Sequence, residues 1–217
     1  MKPCSPSTNR HSGRILPLAC MAVLAGTFTV GAAPPARIER VTLPPVPDTI
    51  RVPAGNKAFL KGHATGTQDY ICLPSGTGFA WQFFGPQATL SDDHLKQITT
   101  HFLSPNPFEG GTPRATWQHS RDTSAVWALA IATSSDPAFV QSGAIPWLLL
   151  QKAGSQDGPT NGDTLTGTTF IQRLNTTGGI APATGCAVSS DVGKKALVPY
   201  EADYFFYEHR GRDSDDD

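Results

Sequence analysis

The chain has 217 residues, a formal net charge of −1 and 16% charged residues, so it carries no basic field with which to gather nucleic-acid phosphates. Its length allows one ordinary domain once a leader is set aside. Residues 1–32 read as that leader: Lys2, Arg10 and Arg14 precede an apolar run over 15–30, and the small residues Val30, Gly31 and Ala32 end it. Pro17 and Gly26 break the run, which argues against a permanent anchor of about 20 apolar residues. Acylation at Cys20 is the alternative, but Pro17 stands where such a signal wants leucine. Cleavage after Ala32 would remove Cys4 and Cys20 and deliver the product to the periplasm or the extracellular space, with no integral membrane span left.

Cys72 and Cys186 then remain, and two cysteines in an exported chain allow one pairing. An oxidising compartment favours that disulfide, and a pair of buried free thiols or a metal pair lacking its partners is the alternative.

Residues 33–53 hold Pro34, Pro35, Pro44, Pro45, Pro47 and Pro53 and are expected to form an extended, Pro-rich leader segment or an edge. From 54 to 208 a single β domain is expected. Strand-like runs occur at 57–64, 69–73, 79–84, 124–132, 145–151 and 166–174, separated by Gly, Pro, Asn and Asp clusters. In 124–132, Trp127, Leu129 and Ile131 would fill one face against Val126, Ala128 and Ala130, with a short helix as the rival. The clearest strand lies near the C-terminus. There Val198, Tyr200, Ala202, Tyr204 and Phe206 alternate with Pro199, Glu201, Asp203 and Phe205, which turns an aromatic face to the core. Pro199 places the start of that strand at an edge or a bulge. Single helical turns fit 92–96 or 137–141, and 209–217 is an acidic tail expected to be disordered. The expected architecture is all-β: a β-sandwich, with a closed β-barrel as the alternative and long Gly/Pro-rich loops.

Several phrases occur together: Val52-Pro53-Ala54-Gly55, Tyr70-Ile71-Cys72, Phe84-Gly85-Pro86-Gln87-Ala88-Thr89-Leu90 and Gly111-Thr112-Pro113-Arg114-Ala115-Thr116-Trp117. Further along come Ala144-Ile145-Pro146-Trp147-Leu148-Leu149-Leu150, Phe170-Ile171-Gln172-Arg173-Leu174-Asn175-Thr176, Gly178-Gly179-Ile180-Ala181-Pro182 and the run from Val198 to Tyr207. This combination resembles a family of exported bacterial and fungal proteins catalogued as a domain of unknown function. Cys72 and Cys186 both fall in matching segments, so the resemblance agrees with their pairing. Some members carry a dehydrogenase label. A nicotinamide site needs a glycine turn between strand and helix, and Gly76-Thr77-Gly78 has Trp81 where the third glycine belongs, followed by a strand-like run.

A P-loop is absent, since Gly193-Lys194-Lys195 lacks the leading glycine and the Ser or Thr, and the nucleophile elbow G-x-S-x-G does not occur. The best catalytic candidates are His101, His119 and Asp122, with Arg121 nearby, bordering what reads as a long loop over 104–116. Their spacing matches no metal or triad template, and hydrogen-bonded surface histidines explain them as well; His63 and His94 would join a metal cluster only if the fold brought them close. Among the tryptophans, Trp127 and Trp147 read as core, and Trp117 is the candidate ligand platform, for instance for a cell-surface polymer or glycan. Asn175-Thr176-Thr177 is a glycosylation sequon, relevant in a eukaryotic source. No cofactor or metal is called for. The reading that follows is a secreted or periplasmic non-enzymatic cell-surface or ligand-binding module. The alternative is a hydrolase or metal-dependent enzyme using His101, His119 and Asp122.

Overall fold

The computed structural model describes residues 41–211. The leader pattern at 1–32, the first prolines of the Pro-rich stretch and the acidic run at 212–217 lie outside the described residues.

Eight strands follow one another: β1 (Asn56–Ser75), β2 (Gly78–Ser91), β3 (Gln97–Asn106), β4 (Thr112–His119), β5 (Ala125–Ser134), β6 (Trp147–Gln156), β7 (Thr168–Gly178) and β8 (Lys195–His209). Each pairs antiparallel with its chain neighbours, and β8 returns to pair with β1, closing the sheet into an up-and-down barrel. The all-β expectation holds, and the closed barrel forms in place of the sandwich. The reason lies in β1. The two short runs at 57–64 and 69–73 are one 20-residue strand, long enough to pair with β2 over one stretch and β8 over another. A strand bonded on both sides at each end of the sheet leaves no free edge, and closure removes the need for a second sheet to cover one.

Residues 104–116 are not a loop. They form the end of β3, a 3-10 turn at Pro107–Glu109 and the start of β4. The prolines that suggested a loop sit opposite each other, Pro105 against Pro113, beyond the last β2–β3 pair (Gln87 with Phe102) and the first β4–β5 pair (Ala115 with Ala128). Their outer edges face no ladder there, so the missing N–H costs no bond. Glu109 holds the turn: it accepts two hydrogen bonds from Arg114, at 2.8 and 2.7 Å, and one from Asn106 at 2.7 Å. Further 3-10 turns lie at Asp48–Ile50 and Ser189–Asp191, and single hydrogen-bonded turns occur where they were expected, Val140 N–H donating to the Asp136 carbonyl at 2.8 Å and Leu95 N–H to the Asp92 carbonyl at 3.0 Å.

The C-terminal alternation holds as read. Tyr200, Ala202, Tyr204 and Phe206 enter the barrel core, while Phe205 and Tyr207 face outward into a second apolar cluster. That outer cluster is covered by the Pro-rich segment, whose Val41, Val46, Ile50 and Val52 pack against Trp147, Leu149, Leu174 and Phe205. Gln172 fixes the cover, donating to the Ile50 carbonyl at 2.7 Å and accepting from the Tyr207 hydroxyl. In β5 the faces are the reverse of the size-based reading. Val126 and Ala128 point inward, Trp127 packs outside on Phe108, and Ile131 is exposed beside a register shift between Ala130 and Ala132.

Cys72 and Cys186 form the disulfide, with Cα atoms 5.5 Å apart across 114 residues of sequence. Backbone bonds on either side of Cys72, to Lys194 and from Gly193, lay the β7–β8 connection along β1. Constraining so long a loop stabilises the fold by about 4 to 5 kcal/mol in the chain-entropy account. Paired Cys72→Ala and Cys186→Ala substitutions should lower the unfolding free energy by about that amount in urea titration, and reductant should reproduce the effect in the parent chain only.

Candidate binding site

Strand parity decides which side chains line the barrel. Residues directly opposite in an antiparallel pair share a face, and every second residue returns to it. On β3 and β4 this turns Thr99, His101, Leu103, Ala115, Trp117 and His119 inward, since His101 pairs with Trp117 and Thr99 with His119. On β8, Tyr204 lies opposite Gly62 and Tyr200 opposite Gly66 of β1. Both glycines make room for neighbouring strands: a Cβ on Gly66 would meet the Gln87 carbonyl oxygen of β2 at 2.0 Å and one on Gly62 would meet Ile98 of β3 at 2.9 Å.

The two ends of the barrel differ. At the end where β4 turns into β5, Leu165 from the β6–β7 loop inserts into the interior with Leu90, Val126, Ile171 and Phe206 and closes it. Asp122 staples that end. Its Oδ1 accepts from the backbone N–H and hydroxyl of Ser124 and meets His119 Nδ1 at 2.9 Å, and its Oδ2 accepts from the N–H and hydroxyl of Thr164. Burial opposes ionisation of this carboxyl, but the bonds from Thr164 and Ser124 outweigh it and hold its pKa well below the ordinary range.

Toward the other end, residues of all eight strands line a half-open cavity of about 330 Å³. Its lower wall is aromatic: His101 stacks on Trp117 with centroids 4.1 Å apart, and Tyr204 meets both edge-on. Its sides are apolar, from Leu103, Ala115, Ala128, Leu148 and Leu150, and the polar or charged residues that line it besides His101, Trp117 and Tyr204 are Gln68, Arg114 and Arg173. His101 is 4% exposed; its Nδ1 donates to the Thr116 carbonyl at 2.9 Å. Burial, aided by the nearby positive charge of Arg173 and despite the Thr116 bond, lowers its pKa to about 3, so the ring stays neutral. Burial likewise raises the pKa of Tyr204 and Tyr200, whose hydroxyls lie 3.4 Å apart.

The sequence candidates therefore separate. His101 and Trp117 meet in the cavity, while His119 and Asp122 meet at the closed end, where the Ser124 hydroxyl bonds the carboxylate. Trp117 offers no open platform, because one ring face is covered by His101 and the residue is fully buried. His63 stands on the outer wall between Asp93 and Asp203, each 2.6 Å from a ring nitrogen; chiefly through the Asp93 bond, its pKa is raised. His94 lies on the exposed β2–β3 turn. Among the described residues no three His, Cys, Asp or Glu side chains are grouped to hold a metal ion, and no helix is long and apolar enough to cross a membrane.

Sequence reasoning did not reach Gln68, Arg173 and Tyr204 as site residues. Gln68 fell between two short predicted strands, and Arg173 sat in an apolar run whose two faces are both buried. The one available signal was parity: with Ile171 inward, Arg173 must also be inward.

Fold and site together define a small closed barrel that keeps part of its interior open at one end, as barrels of eight strands do when they hold a small ligand. The chain belongs to the family described as protein of unknown function (DUF3455), whose model matches residues 53–208. No curated protein and no solved structure matches it.

Two outcomes follow from these environments. The His101 ring is neutral in the fold and takes up a proton only on unfolding, so its contribution is complete above its ordinary value of 6.5 and is lost as pH falls toward about 3. From pH 7 to pH 5 that loss is about 2 kcal/mol, and a His101→Gln chain should show a correspondingly flatter dependence of its urea midpoint on pH. Asp122→Asn replaces a charged acceptor with a group that meets the Thr164 donors with its own N–H; an unfolding free energy lower by roughly 2 to 3 kcal/mol is expected.

Proposed function

We propose that this protein is a non-enzymatic binding module, working in an oxidising compartment outside the cytoplasm, that holds a small and largely apolar molecule inside its barrel. The cavity carries this reading. Its volume of about 330 Å³ lies at the small end of the range for small-molecule sites, its walls are mostly apolar, and a few polar groups converge on it. Small side chains, Ala115 and Ala128 facing one another across β4 and β5, leave the space open in a barrel of a size that side chains otherwise fill. A single half-open cavity of this volume has room for a small molecule and not for a stretch of polymer, which favours a small molecule over a cell-surface polysaccharide. The disulfide supports the compartment, together with the leader pattern at residues 1–32.

The mouth is formed where β2 and β3 part. β2 leaves its ladder with β3 before Gln87, and Phe83 and Pro86 on one side face Leu103 and Pro113 on the other around the cavity. Phe83 and Leu103 remain exposed there, giving an apolar path from solvent to the interior.

An environment-sensitive apolar fluorophore should bind at one site per chain and change the tryptophan emission, because Trp117 lines the cavity. Ala115→Phe, which fills the upper cavity, should weaken that binding at least tenfold with the thermal unfolding transition retained. Absence of saturable binding to the parent chain would overturn the proposal.

A further inference from the structure

Arg173 enters the barrel from β7, opposite Leu148 of β6 and Tyr204 of β8, both of which line the cavity. Among the described residues no carboxylate lies within ion-pair distance of its guanidinium. One of its nitrogens, Nη2, donates to the Pro146 carbonyl at 2.8 Å, which fixes the direction of the group, while its buried Nε–H has no partner. The cation is felt by Tyr70, His101, Tyr200 and Tyr204 alike.

Two other lining groups are unmet in the same way. The Trp117 indole N–H, on a residue that is 0% exposed, has no acceptor, and neither does Gln68 Nε2, on a residue that is 3% exposed. Gln68 approaches the Tyr200 hydroxyl without reaching hydrogen-bond geometry. Buried donors are ordinarily satisfied, and a buried cation is ordinarily paired, because leaving either unmet forfeits hydration with nothing in return. Arg173, half-buried in the wall of an apolar cavity and without a carboxylate in reach, is one uncompensated positive charge there, the complement of an occupant with one compact anionic group.

We infer that the molecule held in the barrel is a small monocarboxylic acid, its carboxylate seated on Arg173 and its hydrocarbon or aromatic body against Leu103, Ala115 and Leu148. The inference rests on the binding role proposed above. A single Arg balances one negative charge, whereas a phosphate dianion would call for further cations, and no other charged side chain lines the cavity except Arg114 at its edge, which Glu109 already pairs. The planar guanidinium matches a carboxylate in shape. His101, neutral beside it, brings no second positive charge.

The test is displacement of the apolar fluorophore by matched pairs, octanoate against 1-octanol and benzoate against benzyl alcohol, at pH 7.5 and low salt. At least one acid should displace it at a concentration tenfold or more below its alcohol. Arg173→Gln should abolish that preference, and Arg51→Gln, which removes the same charge from the outer surface, should retain it. If Arg173→Gln does not fold, the parent chain still decides: octanoate should lose affinity as pH falls through the acid's own ionisation, and 1-octanol should not. Fluorophore binding with equal competition by acid and alcohol, or with displacement by neither acid, overturns the carboxylate assignment and leaves the binding role standing. No fluorophore binding at all overturns the binding role itself.

Discussion

Everything in this molecule depends on the pairing of its first and last strands. β1 spans 20 residues and bonds to β2 along one side and to β8 along the other, so the sheet has no free edge and its inner face becomes a closed interior. An eight-stranded barrel has room for little more than its own side chains. Whether any volume stays open is then a question of residue size at the inward positions. Glycine at 62 leaves room for Leu90 and Ile98 and glycine at 66 for the β2 backbone at Gln87 and Ala88, and alanine at 115 and 128 leaves the upper interior unfilled. A cavity forms without any loop being dedicated to it.

The two ends of the barrel divide the work. At the closed end, Asp122 gathers donors from Ser124 and Thr164 with His119 alongside, and Leu165 completes a dry apolar plug. The histidine and aspartate that look catalytic in sequence are hydrogen-bonded into the framework there. At the open end the disulfide and the Tyr70 hydroxyl, which donates to the Gly179 carbonyl at 2.7 Å, hold the β7–β8 connection against β1. Of the buried polar side chains left without a partner, Gln68, Trp117 and Arg173 belong to residues around the cavity, and Thr99, Trp147 and Thr168 lie elsewhere in the barrel wall. Such groups persist in a fold only when the surrounding packing is strong enough to hold them, and the aromatic stack of His101, Trp117 and Tyr204 supplies that support.

The outer wall adds a second core. Phe205, Tyr207, Trp147 and Leu174 would lie exposed on a bare barrel, and the segment before β1 covers them. Its prolines leave few backbone donors to satisfy while Ile50 is fully buried against the sheet. A stretch that reads in sequence as a spacer is part of the packed domain from Val41 onward.

The sequence by itself determined the all-β class, the pairing of Cys72 with Cys186, the inward aromatic face of β8 and the family, because each of these depends on local alternation, cysteine count or contiguous phrases. It did not determine the closure, since the choice between sandwich and barrel lies in which distant strands share hydrogen bonds, and no local pattern records that. It misread the end of β3 and the start of β4 as a loop because Pro105 and Pro113 break strands only where a neighbouring ladder needs their N–H, and neither has such a neighbour there. The binding site was hidden for the same reason. Gln68, Trp117 and Arg173 lie on three strands far apart in the chain, and only the closed ring turns them toward one volume, where burial and one unpaired charge decide what they can hold.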